Sequence, residues 1–173
     1  MPQVPSGNFS SPAALARFLV TAAVGLATDL WVKAYAFEAL ADHHTVKVID
    51  GYLHIQITVN RGAVFGLGPG HRGLFVVVSL GAIVFLSYLF AQSGGRRFYQ
   101  LVLGLLLAGV LGNLYDRVVF GYVRDMIFAL PRWPHVFPYI FNVADILLCT
   151  GVGLLLLQMV FAPGPMAVEE GTR

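Results

Sequence analysis

Apolar residues in this chain fall into four long blocks separated by shorter polar stretches. The first runs from about Pro12 to Lys33, the second from Gly73 to Ala91, the third from Phe98 to Arg117 and the fourth from Asn142 to Phe161. Each is close to the roughly 20 residues that a helix needs to cross the hydrocarbon core of a bilayer. The blocks are too long for barrel strands, and only helices or closed barrels satisfy their own backbone groups in lipid. Ser11 followed by Pro12 reads as an N-cap with proline at the first helical position. Between the first two blocks the period changes. In "TVKVIDGYLHIQITVN", residues 45–60, Leu53, Ile55, Ile57 and Val59 alternate with His54, Gln56, Thr58 and Asn60, which predicts a strand with one apolar face. Asp50-Gly51 supplies the turn of a hairpin. Residues 118–141 read as a loop, because "FALPRWPHVFPYI" holds three prolines and several aromatics suited to an interface. The pattern predicts an all-α integral membrane protein: one domain over residues 1–173, with four transmembrane helices and a small extramembrane β-hairpin between helices 1 and 2.

Four crossings place the end of span 1, the 1–2 connection, the end of span 3, the 3–4 connection and the start of span 4 on one membrane face. Nearly all the polar chemistry lies there: Asp29, Lys33, Asn60, Arg61, Asn113, Asp116, Arg117, Asp125, Asn142 and Asp145. The other face receives the termini and the "QSGGRR" turn.

Composition agrees with a membrane protein: 57% of the 173 residues are hydrophobic and 12% are charged, against about a quarter charged in soluble domains. The net charge of +2 has no basic cluster behind it, so nucleic acid is not an expected partner. Arg17, Arg96, Arg97 and Arg173 fall on the terminal side and seven cations on the other, so the positive-inside rule does not set the orientation. Cys149 is the only cysteine, which rules out an internal disulfide, and its apolar surroundings predict a small buried side chain. The apolar "FLVTAAVGLA" near the N-terminus has one arginine and no lysine before it, and is read as a retained span rather than a cleaved leader.

The candidate chemistry lies in carboxylates and amides. Asp29 and Lys33 are spaced i, i+4, as an ion pair at the end of a helix with Lys33 reaching the interface, or as a pair that holds another polar segment. Asn113, Asp116 and Arg117 share a helical face, and Gly104, Ala108 and Gly112 form a small-residue stripe for close helix packing. Asp116, directly followed by Arg117, reads as a neutralised structural carboxylate. Asp125 by itself reads as a solvated loop aspartate. Asn142 with Asp145 three residues later is a capping-box spacing, but capping does not account for an ionisable group at the lipid boundary. Two acids brought together can share a proton, one activating water while the other protonates a carbonyl oxygen or leaving nitrogen. No HExxH, no Cys/His ligand spacing and no GxSxG elbow is present, so neither a metal nor a serine nucleophile is expected. An ion-coupled transporter subunit is a competing class, but the polar residues do not continue through spans 2 and 4; a non-enzymatic scaffold is another.

Taken in order, "TDLWVK" (28–33), "NRGAVFG" (60–66), "AGVLGNLYDR" (108–117), "YVRDMI" (122–127) and "FNVAD" (141–145) resemble the motifs of bacterial lipoprotein signal peptidase, or signal peptidase II. The resemblance implies an inner-membrane aspartic protease that needs no cofactor and removes the signal peptide from diacylglyceryl-modified prolipoproteins, cutting before the lipidated cysteine. It implies catalytic roles for Asp125 and Asp145. It also implies that Asn60, Gly62, Asn113, Arg117, Asn142 and Ala144 shape the site and hold substrate, with Asp29 and Lys33 as the first-span motif. The same resemblance implies cytoplasmic termini, a site at the periplasmic surface, lipidated precursors and membrane lipids as partners, and inhibition by the cyclic peptide globomycin; the chain is expected to be a monomer. Two positions depart from the family pattern: Met126 stands where an aromatic is usual, and Val64 where alanine is commoner.

Overall fold

The computed structural model describes residues 8–41, 45–62, 72–137 and 139–161. After a short 3-10 turn at Asn8–Ser10 come α1 (Pro12–Ala39), β1 (Val46–Ile49), β2 (Leu53–Asn60), α2 (Arg72–Ala91), α3 (Arg97–Val119), β3 (Val123–Ala129), β4 (Ile140–Phe141) and α4 (Val143–Phe161). All four α-helices are long and apolar enough to cross a membrane. Ser11 caps α1, its side chain accepting from the Ala14 backbone N–H at 3.4 Å, with Pro12 in the first turn. With 28 residues α1 is about 42 Å long, so it outruns the hydrocarbon core and continues past Lys33 to Ala39.

The helix α3 is the centre of the bundle, and α1, α2 and α4 pack on it. Its small residues set how close they come. A Cβ on Gly104 would lie 2.7 Å from the Phe18 carbonyl oxygen of α1, and one on Gly109 would lie 2.6 Å from the Ala144 carbonyl oxygen of α4. Ala108 meets Gly25 of α1, where an added Cβ would come within 2.7 Å. The stripe therefore packs helices, as close small-residue contacts do in lipid, where apolar side chains alone give no preference for protein over tail. At the end bearing the termini, Phe18, Phe90, Leu103 and Leu106 form an apolar core, with Phe18 stacked on Phe90 at 4.4 Å. Asn8 donates to the Gly94 carbonyl at 2.7 Å, tying the turn before α1 to the α2–α3 turn.

The opposite end carries an antiparallel sheet in the order β1-β2-β3-β4. The predicted hairpin is half of it. The stretch read as a loop, 118–141, supplies β3 and β4, because "VRDMIFA" pairs along the edge of β2 and satisfies backbone groups that a lone hairpin would leave open. The prolines and aromatics that suggested a loop confine irregular chain to the stretch between β3 and β4. There Leu130 donates its backbone N–H to the Tyr52 carbonyl at 2.7 Å, folding this segment over the hairpin tip.

The single apolar face expected for β2 does not survive along its length. Ile55 pairs with Ile127 and Thr58 with Asp125, so three steps of β2 oppose two of β3: a bulge at Gln56-Ile57. Residues directly opposite share a face. Before the bulge the face shared with Ile127 is that of Leu53 and Ile55; after it, the face shared with Asp125 is that of Thr58 and Asn60. Val59 is accordingly exposed. Cys149 is also exposed rather than buried, on a side of α4 that lines a cavity between α2 and α4. An apolar side chain can line a cavity as readily as fill a core, so apolarity did not report burial there.

Candidate active site

The site is built on the first turn of α4. The Asn142 side-chain oxygen accepts from the Asp145 backbone N–H at 3.0 Å, and Asp145 Oδ2 accepts from the Asn142 backbone N–H at 3.3 Å, a reciprocal capping box. Each residue then has a functional atom left over. Asn142 Nδ2 donates to Asp125 Oδ1 at 2.6 Å and to Asn113 Oδ1 at 3.2 Å. Asp145 Oδ1 accepts from Asn113 Nδ2 at 2.8 Å. Asn142 therefore touches both carboxylates, and Asn113 is hydrogen-bonded to Asn142 and Asp145.

Beneath the amides lies a buried row of charges. Lys33 is fully buried; its ammonium is 2.7 Å from Asp29, 3.3 Å from Asp116 and 3.3 Å from Asn113 Oδ1. Asp29 in turn accepts from the Ala144 backbone N–H at 2.8 Å, serving one of the open donors at the head of α4. Lys33 thus holds polar segments together and does not run to the interface. Asp116 is neutralised, but not by its neighbour in sequence: Arg124 reaches it with Nη2 at 2.8 Å and Nε at 3.2 Å. Adjacent residues on a helix point about 100° apart, and Arg117 turns instead to the Asn113 and Gly62 carbonyls, with its guanidinium 5.1 Å from the Phe75 ring.

These elements border a cavity of about 1120 Å³ that lies between α2 and α4, floored by α3 and closed at its outer end by the sheet. Asn60, Gly62, Asn113, Arg117, Asp125 and Asp145 form its polar end; Phe75, Val78, Ala82 and Leu148 are among its apolar walls. Asn142 and Ala144 are buried just behind this rim, and Asp29, Lys33 and Asp116 lie deeper still, off the cavity. Asp125 is no solvated loop residue: it is in β3, 2% exposed, and hydrogen-bonded to Asn142 and Asn60. Burial first, and the neighbouring Asp145 carboxylate second, push its pKa up to about 7 against the pull of those hydrogen bonds and of Lys33. Met126, where the family pattern favours an aromatic, is wholly buried. Residues 63–66 of the second motif, Val64 included, lie outside the described residues.

Sequence reasoning missed Arg124 and Thr58. Arg124 left a signal in its position beside Asp125, but its partner, eight residues back on another element, was not visible from spacing. Thr58, which pairs with Asp125 and lines the cavity, is reached only through the bulge.

The fold is that of an integral membrane protein with two carboxylates at the polar end of one cavity, and comparison with known proteins gives its class. Residues 21–161 match the family model of signal peptidase (SPase) II. A lipoprotein signal peptidase of Halothermothrix orenii is 36% identical over 131 residues, covering 76% of this chain and 86% of the relative. One from Rhodopirellula baltica is 35% identical over 186 residues, covering 89% and 81%. Two bacterial membrane enzyme structures solved by the in meso method resemble the fold. The one at 2.3 Å has a TM-score of 0.74 and 28% identity, covering 87% of this chain and 89% of that one. The one at 1.9 Å has a TM-score of 0.73 and 26% identity, covering 92% and 100%. The chain belongs to the signal peptidase II family and is a membrane peptidase.

Proposed function

We propose that this peptidase removes the signal peptide from diacylglyceryl-modified prolipoproteins, cutting before the lipidated cysteine, with Asp125 and Asp145 as an acid–base pair. The observation that carries the reading is Asn142, whose side chain and backbone contact both carboxylates at the polar end of a cavity with apolar walls. Lipid tails and signal helix suit those walls, and the scissile amide suits the polar end. Asp145 accepts hydrogen bonds from Asn113 and from the Asn142 backbone, a setting for a carboxylate base that takes a proton from water as its oxygen adds to the scissile carbonyl. Asp125, with its raised pKa, donates its proton to the carbonyl oxygen; as the gem-diol collapses Asp125 takes that proton back, and the proton held by Asp145 passes to the leaving nitrogen. Arg117 and the Asn60–Gly62 turn, where the Asn60 side chain accepts from the Gly62 N–H at 3.0 Å, offer polar groups to the substrate backbone.

We place the termini in the cytoplasm of an inner-membrane protein and the site at the periplasmic surface. Of the seven cations on the site's side, Lys33 and Arg124 are buried in ion pairs and Arg117 is half-buried against carbonyls. Removing those three leaves four cations on each face, so the charge balance does not oppose the cytoplasmic termini that the family resemblance implies.

The test is cleavage of a lipidated precursor by purified protein in detergent. Wild type should release the signal peptide and globomycin should block it, while Asp125→Asn and Asp145→Asn should each abolish it. Full cleavage by either variant refutes the pair.

A further inference from the structure

Arg124 has no part in the reaction proposed above, yet it is buried one residue from Asp125. Its side chain lies on the other face of β3 and does not border the cavity. Three of its groups meet one carboxylate: the backbone N–H donates to Asp116 Oδ2 at 2.9 Å, and Nε and Nη2 donate to Asp116 Oδ1 at 3.2 and 2.8 Å. The guanidinium sits 4.4 Å from the centre of the Phe120 ring. Asp116 thus lies between two cations, because Lys33 stands 3.3 Å from its Oδ2. Lys33 is divided among Asp116, Asp29 and Asn113. Its contact with Asn113 decides which way that amide points. With Oδ1 toward the ammonium and toward Asn142, Nδ2 is left to donate to Asp145. A flipped amide would set N–H against ammonium and oxygen against carboxylate.

We propose that Arg124, acting with Asp116, is a positioning residue for both carboxylates of the site. It pins the start of β3 to α3 so that Asp125 meets Asn142, and by neutralising Asp116 it leaves Lys33 free to orient Asn113 toward Asp145. This rests on the reading of Asp125 and Asp145 as the reacting pair. Without the guanidinium, Asp116 is a buried carboxylate with one cation left, and that cation is drawn from Asn113.

The experiment compares Arg124→Met and Arg124→Lys with wild type in kcat, KM and melting temperature. Methionine preserves the backbone bond to Asp116 and packing on Phe120 but no donor. Its kcat should fall about 100-fold, as expected when reacting groups are displaced by about 1 Å, with KM within about twofold because Arg124 lies off the cavity. Lysine restores a cation and should recover most of kcat. A pair that only stabilises the fold would lower the melting temperature while leaving kcat per folded molecule unchanged. That result, or a change confined to KM, overturns the proposal.

A second readout does not depend on cleavage: the infrared carbonyl band of protonated Asp125, identified by its loss in Asp125→Asn, followed against pH. Asp125 is faced by Asn60 from β2, Lys33 from α1, Arg117 from α3, and Asn142 and Asp145 at the head of α4. The midpoint should move in Arg124→Met and return in Arg124→Lys; an unmoved midpoint in Arg124→Met overturns the positioning role. If the midpoint moves but wild type cleaves no lipidated precursor, the functional reading fails and the positioning role stands. Should Arg124→Met not fold, Arg124→Gln, which retains a donor, carries the same measurements.

Discussion

Raising the pH probes Asp125 directly. Its pKa lies at about 7 in the folded protein against 3.8 for a solvated aspartate. Between those values the folded state binds a proton that the unfolded chain has released, so stability is highest at low pH and is lost as pH rises through about 7. Integrating that difference from about pH 5 to about pH 8 gives a loss of roughly 2 to 3 kcal/mol from this one group. Asp125→Asn has the same shape and no proton to lose. Other carboxylates titrate in both proteins, so the informative quantity is the difference in unfolding free energy between variant and wild type in detergent. That difference should move in the variant's favour by roughly 2 to 3 kcal/mol across the interval, while the variant cleaves nothing. Wild-type kcat should also decline above pH 7, about tenfold per pH unit once the proton is mostly lost. Parallel stability curves for the two proteins would show that Asp125 is not a buried, protonated acid and would remove the basis for its role as proton donor.

Other variants test separate parts of the structure. Gly109→Ala puts a methyl group 2.6 Å from the Ala144 carbonyl, an atom that cannot rotate away; α3 and α4 must part, costing about 1 to 3 kcal/mol in detergent unfolding. Lys33→Met strands Asp29 and Asp116 without their shared ammonium, and the loss should reach about 3 to 5 kcal/mol, read as a fall in melting temperature and in folded yield. Asn142→Ser retains an N-cap for α4, so the melting temperature should change little, but it removes the donor to Asp125 and cleavage should collapse. A matching loss of stability and activity in Asn142→Ser would mean the amide serves only the helix.

The four helices were legible because lipid imposes one demand, about 20 apolar residues per crossing, and the chain states it four times. The small-residue stripe on α3 was legible for the same reason: a four-residue step puts Gly104, Ala108 and Gly112 on one line whatever they pack against. The strands β3 and β4 were not, since "VRDMIFA" is too short to declare a period and needs the edge of β2 to pair with. Among the candidate site residues, Asn142 and Asp145 announced themselves through capping-box spacing, a local rule. Asp125 did not, because its burial comes from β2, α1 and α4, distant in sequence. The Asp116 partnership was misassigned to Arg117 because adjacency along a chain says little about adjacency around a helix.

The extra residue at Gln56-Ile57 has a consequence for how this chain can change. Upstream of it odd-numbered positions face Asp125's side of the sheet, and downstream even-numbered ones do. A single-codon insertion or deletion between Leu53 and Asn60 would rotate the Asn60 amide out of the cavity even if every amino acid stayed chemically acceptable. The length of this segment therefore matters to the site as much as its composition does, and a compensating gain or loss has to fall within the same few positions to restore the phase.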